Sequence, residues 1–298
     1  MLNRLICRIG AGLVAAFTVL AFAGCSGDDP AGPQRQAPAL PDASTMTMDL
    51  SFFDQATADQ PALGKGTHDP MTFSVVPEKT NFINAALRVQ LLHLVFCGAL
   101  LPPVSAFALA IHSVPQLQPD GSWLWTYIYV KDQVEYSIFL YGTDAGDRTQ
   151  WRMEVSTASA EMPLDHFVWF EGEALKYESS GYWQFYEAIR TPPSVAAVAA
   201  LQTPGKQSIR MDWLNLTGNV HQLSILNNNP DSPDEGDLIV LYASPAVSYV
   251  DFTDSAAPEV VYNITWYADG SGSIQVLDYN GGEKACWDTD QFDVVCPE

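Results

Sequence analysis

The chain has 298 residues, of which 47% are hydrophobic and 16% are charged. This composition is typical of a globular protein and excludes a wholly disordered chain. Glycine and proline, with 20 residues each, follow no three-residue period, which excludes collagen. The net charge of −21 argues against a nucleic-acid partner, because phosphate binding needs a basic face.

Residues 1–24 have the pattern of a secretory signal sequence. Arg4 and Arg8 supply a positive start, and Ile9–Phe22 is an apolar run. An uncleaved transmembrane anchor is the alternative, but the run is short for a span and is followed by small residues rather than basic ones. We therefore expect residues 1–24 to be removed on export.

The end of this segment, Phe22-Ala23-Gly24-Cys25, resembles the signal motif of bacterial lipoproteins, which usually has leucine where this chain has Phe22. The resemblance implies that Cys25 becomes the N-terminus and carries acyl chains such as palmitate, which attach the protein to a membrane. In enteric-type sorting of such lipoproteins, an Asp after the lipidated cysteine retains the protein in the inner membrane. The resemblance with Ser26 at this position therefore implies the outer membrane, and the periplasmic and the surface face are both left open. Cleavage makes the chain still more acidic, so the acyl chains rather than basic residues must make the attachment.

Residues 25–70 are predicted to form the lipidated cysteine and a mostly disordered tether. Ser26–Pro70 is rich in proline, glycine, serine and aspartate and has no sustained apolar period. Leu50, Phe52 and Phe53 are candidates for local docking, and a partner-binding peptide around Asp49–Asp54 is the alternative. We expect the folded body to be a single β-rich domain, residues 71–298.

Two apolar helical segments are predicted at the start of this domain. The first runs from Phe82 to Leu101, is capped by Thr80 or Asn81, and stops at Pro102-Pro103. It is apolar on almost every face beyond Leu91, so it is expected to be buried in protein rather than lipid, since an intramembrane Arg88 would be costly. The second, Val104–His112, fits a short helix or a strand.

After Gly121 the sequence predicts an antiparallel meander of about eleven strands, because period-two alternation and short turns recur throughout. The predicted strands are Ser122–Val130, Val134–Tyr141, Thr149–Ser156, His166–Glu173, Tyr182–Glu187, Gln207–Leu214, Val220–Asn227, Leu238–Ala243, Val247–Thr253, Val260–Tyr267 and Ser273–Tyr279. Pro192–Leu201 interrupts the series as a loop with room for one short helix. Since exposed edges are a liability, we expect an open or closed barrel-like sheet.

Four aromatic residues on the first of these strands form the candidate ligand site. Trp123, Trp125, Tyr127 and Tyr129 share one face, and their ordinary role is to fill a sheet core. The opposite face, with Ile128 and its neighbours, is also apolar, which predicts cover on both sides. A hollow closed by the apolar helix would be able to take a hydrophobic small molecule.

The cysteines predict one disulfide and no metal centre. Cys286 and Cys296 flank a short loop in an exported chain and are expected to pair. Cys97 is expected to be a small buried hydrophobe, and with His93 it supplies too few ligands for zinc. Two acidic clusters contain the carboxylates that calcium prefers but lack the spacing of an EF-hand, so we expect both to be solvated loops. The first cluster is Asp288, Asp290 and Asp293, and the second is Asp231, Asp234, Glu235 and Asp237.

No catalytic signature is present, and we expect neither a cofactor nor an enzyme. The sequence lacks a G-x-S-x-G elbow, an H-E-x-x-H motif, a P-loop and a dinucleotide motif. The leading hypothesis is a membrane-anchored, non-enzymatic binder of a hydrophobic ligand. Periplasmic lipoprotein carriers of the Lol type are similar in element count and order only. The alternatives are an interaction module for a glycan or a protein, a structural envelope component, and an unrecognised hydrolase.

Overall fold

The structure is a computed structural model that describes residues 35–47, 49–53, 78–131, 133–159, 163–177, 179–187 and 206–297. Residues 1–24, which are predicted to be a signal sequence, lie outside these ranges, as do Cys25 and Pro192–Leu201.

Fourteen strands form one antiparallel sheet in which each strand pairs with its neighbours in the chain. The strands are β1 (Gln116–Leu117), β2 (Trp123–Lys131), β3 (Val134–Asp144), β4 (Arg148–Thr157), β5 (Leu164–Leu175), β6 (Ser180–Glu187), β7 (Lys206–Leu216), β8 (Val220–Asn227), β9 (Leu238–Ala243), β10 (Val247–Asp254), β11 (Ala257–Tyr267), β12 (Gly272–Val276), β13 (Ala285–Trp287) and β14 (Asp293–Val294). Within the described residues β1 and β14 do not pair, so the sheet is not closed.

The predicted class, a mainly β protein built as an antiparallel meander, is confirmed. The eleven predicted strands correspond to β2 through β12, and β8 and β9 match to the residue. The strand number is too low because β1, β13 and β14 have only two or three residues each. Segments that short cannot display a period of two, and their pairing depends on a neighbouring strand.

The two predicted helical segments are one helix, α1 (Thr80–Leu109), followed by a 3₁₀ turn at Ala110–His112. The prediction that the helix ends at Pro102 is wrong. Proline in a helix interior removes a hydrogen bond and costs about 3 kcal/mol. Burial of Leu100, Val104 and Phe107 on either side of the prolines offsets that cost.

The N-terminus of α1 is capped from the other end of the chain. Asp293 accepts hydrogen bonds from the backbone N–H groups of Thr80 (3.2 Å) and Asn81 (2.9 Å), while Lys79 makes no side-chain cap. The prediction of Thr80 or Asn81 as the capping residue is therefore wrong. A carboxylate satisfies the free N–H groups and interacts favourably with the positive end of the helix dipole.

Helix α1 packs on one face of the sheet and contacts β2, the neighbour of edge strand β1, on one side and β12–β14 on the other. We call this the inner face; it carries the buried apolar side chains of nearly every strand. The opposite, outer face is more polar. No helix within the described residues is long and apolar enough to cross a membrane.

Part of the predicted tether is packed rather than disordered. A 3₁₀ turn at Ala43–Met46 packs against α1 and β7, and Met46, Leu50 and Phe53 are buried. Phe53, 1% exposed, lies against Phe82 of α1 with ring centroids 5.9 Å apart. Leu50, Phe52 and Phe53, the candidates for local docking, therefore do pack on the inner face, and the expectation of disorder does not hold for residues 35–47 and 49–53. Residues 54–77 lie outside the described ranges.

Candidate functional site

The four aromatic residues predicted as a ligand site lie together on β2 and are all used in packing. Trp125 is 3% exposed and its ring lies 5.6 Å from that of Trp151. Trp123, Tyr127 and Tyr129 are half-buried against the core. The structure thus places this row within the apolar packing on the inner face.

Tyr127 connects β2 to the C-terminal half of α1. Its hydroxyl donates a 2.7 Å hydrogen bond to the carbonyl oxygen of Ala106, and burial raises the pKa of Tyr127. Behind it, Phe107 of α1 contacts the rings of Phe170 and Trp183 at 5.9 and 5.6 Å. This end of the helix is therefore held by aromatic packing and one hydrogen bond to a side chain of β2.

The expectation that β2 is covered on both sides is wrong. On its outer face Ile128 is 55% exposed and Val130 is 59% exposed. The outer side of β2 is exposed to solvent although its residues are apolar, because helix α1 covers only the inner face. An exposed apolar residue by itself is common on protein surfaces.

Glycines give the tryptophan rings on the inner face their positions. Four cross-strand pairs place an indole over a residue that has no side chain: Gly142 with Trp151, Gly172 with Trp183, Gly181 with Trp213, and Gly272 with Trp287. A Cβ added to Gly172 would lie 2.1 Å from the carbonyl oxygen of Tyr182 and 2.6 Å from the Trp183 ring. These glycines therefore make the room that the rings occupy.

The inner face also contains unused hydrogen-bond donors. The indole N–H of Trp183 donates to the Thr45 hydroxyl at 3.3 Å, and that of Trp287 donates to a backbone carbonyl at 3.0 Å. The indole nitrogens of Trp151 and Trp213 are buried and have no partner among the described residues. Buried donors without a partner are uncommon in folded proteins.

A groove of about 390 Å³ lies on the outer face of the sheet, across β3 to β6. Its lining includes Tyr141, Gln150, Arg152, Glu171, Glu173 and Tyr182. Strand register places Tyr141, Arg152 and Glu171 side by side on consecutive strands. The next row along the strands places Gln150, Glu173 and Tyr182 side by side. The two rows lie next to each other and form one continuous polar surface. Tyr141 stands at the β3 end of one row, and Tyr182 stands at the β6 end of the other.

The charged groups of this groove are paired within the protein. Glu173 accepts hydrogen bonds from Gln150 and Arg148, each at 3.0 Å, and these bonds lower the pKa of Glu173. Arg152 pairs with Glu154 at 2.8 Å. Glu171 accepts a hydrogen bond from the Tyr186 hydroxyl. Each of these charged side chains therefore has a partner within the protein.

The two tyrosines at the ends of the groove differ in their surroundings. The Arg210 guanidinium covers the ring of Tyr182 at 4.1 Å. Tyr141 takes part in no ring contact and no cation–π contact within the described residues. Burial raises the pKa of both phenols. Sequence reasoning did not identify this groove, since alternation marks the outward positions of each strand but not which strands face one another across it.

His166 is the histidine best placed to support the hydrolase hypothesis, but its surroundings do not form a catalytic triad. His166 Nδ1 lies 2.9 Å from Glu154, in the manner of a base with its orienting carboxylate. However, Ser156 accepts a 2.8 Å hydrogen bond from the backbone N–H of His166, not from its imidazole. This arrangement therefore lacks the hydrogen bond between nucleophile and base that a catalytic triad requires.

The cysteines and acidic clusters have structural surroundings. Cys286 and Cys296 form a disulfide, the pair that their spacing predicted. Asp288 accepts hydrogen bonds from the N–H groups of two residues in its own loop, and Asp293 caps α1. In the second cluster Asp231 pairs with Lys206. Among the described side chains, which do not include those of His93 and Cys97, no three or more potential ligands are arranged to hold a metal ion.

No protein-family model matches the chain, and a search of curated proteins finds no significant match. The inner face and the outer groove are the two candidate sites of the described residues.

Proposed function

We propose that the protein is a lipid-anchored lipoprotein of the bacterial envelope that binds an apolar ligand, such as an acyl chain, between α1 and the inner face of the sheet. In this proposal the acyl chains on Cys25 attach it to the outer membrane, and the sheet curves around α1 as an open barrel. The observation that carries the proposal is that a helix, rather than strand pairing, bridges the open sheet from β2 to β12–β14.

A helix that closes a sheet can be moved at lower cost than a strand. A strand in a sheet forms a continuous ladder of backbone hydrogen bonds. The C-terminal half of α1 is joined to β2 by the Tyr127–Ala106 bond and by apolar packing. Its N-terminal end is held more firmly, by the Asp293 cap and by Asn81, which donates to the Cys286 carbonyl and accepts from Tyr279. This asymmetry favours opening at the C-terminal half.

An apolar ligand offsets the cost of such opening. Separating Phe107 from Phe170 and Trp183 exposes three aromatic side chains, which costs about 6 kcal/mol at roughly 2 kcal/mol each. Each buried CH₂ group contributes about 0.8 kcal/mol, so a chain of about eight methylenes balances the loss. This comparison favours a ligand with a long acyl chain over a small apolar molecule.

The test uses residues 26–298 behind a cleavable export signal, so that the packed segment 35–53 is retained and the anchor is absent. The delipidated protein is titrated with 11-(dansylamino)undecanoic acid, whose emission rises in an apolar site. We expect saturable binding to one site that palmitate displaces. Tyr127→Phe should bind the probe about 5-fold more tightly, because opening no longer breaks a hydrogen bond worth about 1 kcal/mol.

The matched control is Tyr177→Phe, which removes a hydroxyl from a side chain that is 95% exposed and should leave affinity unchanged. Linear, non-saturable emission from the wild-type protein would refute the proposal. Equal affinities for Tyr127→Phe and the wild type would refute opening at the C-terminal half of α1.

A second candidate is an interaction module that recognises a glycan or a protein through rings on the wet face of the sheet. It is favoured by the outer groove, where Tyr141 and Tyr182 flank polar side chains. A stacked pair, Tyr242 and Tyr249, with centroids 5.0 Å apart, lies further along the sheet. The two functions use opposite faces of the sheet, so one ligand does not exclude the other.

A further inference from the structure

We propose that the groove between Tyr141 and Tyr182 on the outer face is a binding site for an uncharged oligosaccharide. The inference deepens the second candidate function by naming the ligand class and the site. It does not depend on an apolar ligand on the inner face.

The spacing of the groove suits a polyhydroxylated ligand. Neighbouring strands lie about 4.8 Å apart, and alternate residues on one strand lie about 6.7 Å apart. Arg152 and Glu171 are cross-strand partners, and Gln150 and Glu173 are cross-strand partners in the next row. This gives a lattice of donors and acceptors at separations of a few ångströms, which hydroxyl groups on adjacent sugar carbons can engage from one side.

The length of the groove suits more than one sugar ring. Tyr141 lies on β3 and Tyr182 on β6, three strand spacings apart, which is about 14 Å. A single pyranose is shorter than this span, whereas a short oligosaccharide would reach from one tyrosine to the other. The volume of about 390 Å³ is within the range of small-molecule sites.

The electrostatics favour an uncharged ligand. Carboxylates outnumber basic groups in the lining, which disfavours an anion. The carboxylates already accept internal hydrogen bonds, from Gln150 and Arg148 in the case of Glu173 and from Tyr186 in the case of Glu171. A carboxylate has about four lone-pair positions, so both can still accept a ligand hydroxyl. Fixed side chains with spare hydrogen-bonding capacity bind without a large ordering cost.

The aromatic rings supply the apolar part of the recognition. Tyr141 is half-buried and no other ring covers it within the described residues. Its hydroxyl and that of Tyr182 have no hydrogen-bond partner in the described part of the chain. A tyrosine with a free ring face and a free hydroxyl can stack on the C–H face of a sugar and bind one of its hydroxyls.

The experiment uses the full chain, purified from host membranes in lauryldimethylamine oxide, a detergent without a sugar headgroup. Cellotriose, maltotriose and chitotriose are the probes, and saturation-transfer NMR with isothermal titration calorimetry measures binding. We expect saturable one-site binding of at least one probe, which is recovered unchanged. Tyr141→Ala should weaken it at least 10-fold, and Glu171→Gln, which keeps the shape but removes the charge, at least 3-fold.

Tyr267→Ala is the matched control, because this tyrosine is 45% exposed on β11, outside the groove. It should bind as the wild type does. The proposal is overturned if none of the three probes shows saturable binding, or if both Tyr141→Ala and Glu171→Gln keep wild-type affinity. Failure of this test leaves dansyl fatty-acid binding as a separate result, so the two proposals fail independently.

Discussion

Replacing Gly172 by alanine tests the account of how tryptophan rings are positioned on the inner face. The new Cβ would lie 2.1 Å from the Tyr182 carbonyl oxygen, where contacts under 3.0 Å are essentially never seen. Because the nearest obstacle is backbone, β5 and β6 must separate by about 1 Å, and the Trp183 ring, 2.6 Å from the new Cβ, must shift as well. Overpacking of this kind costs 1–3 kcal/mol and sometimes more, so we expect a loss of about 3 kcal/mol in the free energy of unfolding.

The assay is urea unfolding at 25 °C followed by tryptophan fluorescence, with a thermal melt beside it. A loss of this size corresponds to about 6–12 °C in Tm for a domain of this length. The control is Gly146→Ala in the β3–β4 turn, where a Cβ meets nothing within 4 Å but φ is +93°. That change should cost only about 1–2 kcal/mol of backbone strain. A Gly172→Ala protein as stable as Gly146→Ala or more so would refute the steric argument.

Three further perturbations test other parts of the structure. Replacing both Cys286 and Cys296 by serine should lower the free energy of unfolding by about 2–3 kcal/mol, measured in urea, since the bridge closes a short loop; an unchanged midpoint would contradict this. Asp293→Ala should cost about 1 kcal/mol by removing the cap of α1, with Asp293→Asn retaining most of it in the same assay; equal losses for the two variants would argue against capping. Burial lowers the pKa of His221 from its ordinary value of 6.5, so the unfolded state takes up a proton first. The stability that neutral His221 contributes is therefore complete above pH 6.5 and decreases as the pH falls below 6.5. His221→Gln should flatten this part of the plot of unfolding free energy against pH. An identical slope in the variant would rule out His221 as the cause.

The strands could be predicted from the sequence because each one shows its own alternation. Trp151, Met153 and Val155 on β4 are buried, and the residues between them are more exposed, which is the pattern that a half-buried strand requires. Sequential order then gives the meander, since short connections join antiparallel neighbours. The very short strands β1 and β14 have no such local signal.

Features that depend on distant contacts could not be predicted. Asp293 caps a helix that starts 213 residues earlier, and no local pattern around Thr80 reveals it. Met46 sits in a segment whose composition is that of a spacer, yet it is buried where the 3₁₀ turn packs against α1 and β7. The outer groove depends on the register between β4 and β5, which the sequence of neither strand specifies by itself.

The central claim, that the inner face takes an apolar ligand under α1, is tested most directly by a native mass spectrum of residues 26–298 after export and mild purification. The account predicts a non-covalent adduct of several hundred daltons that dissociates on activation, and whose extract contains acyl chains. A bare polypeptide mass, unchanged after incubation with palmitate, would contradict the claim and would identify the inner face as an ordinary core beneath a structural helix.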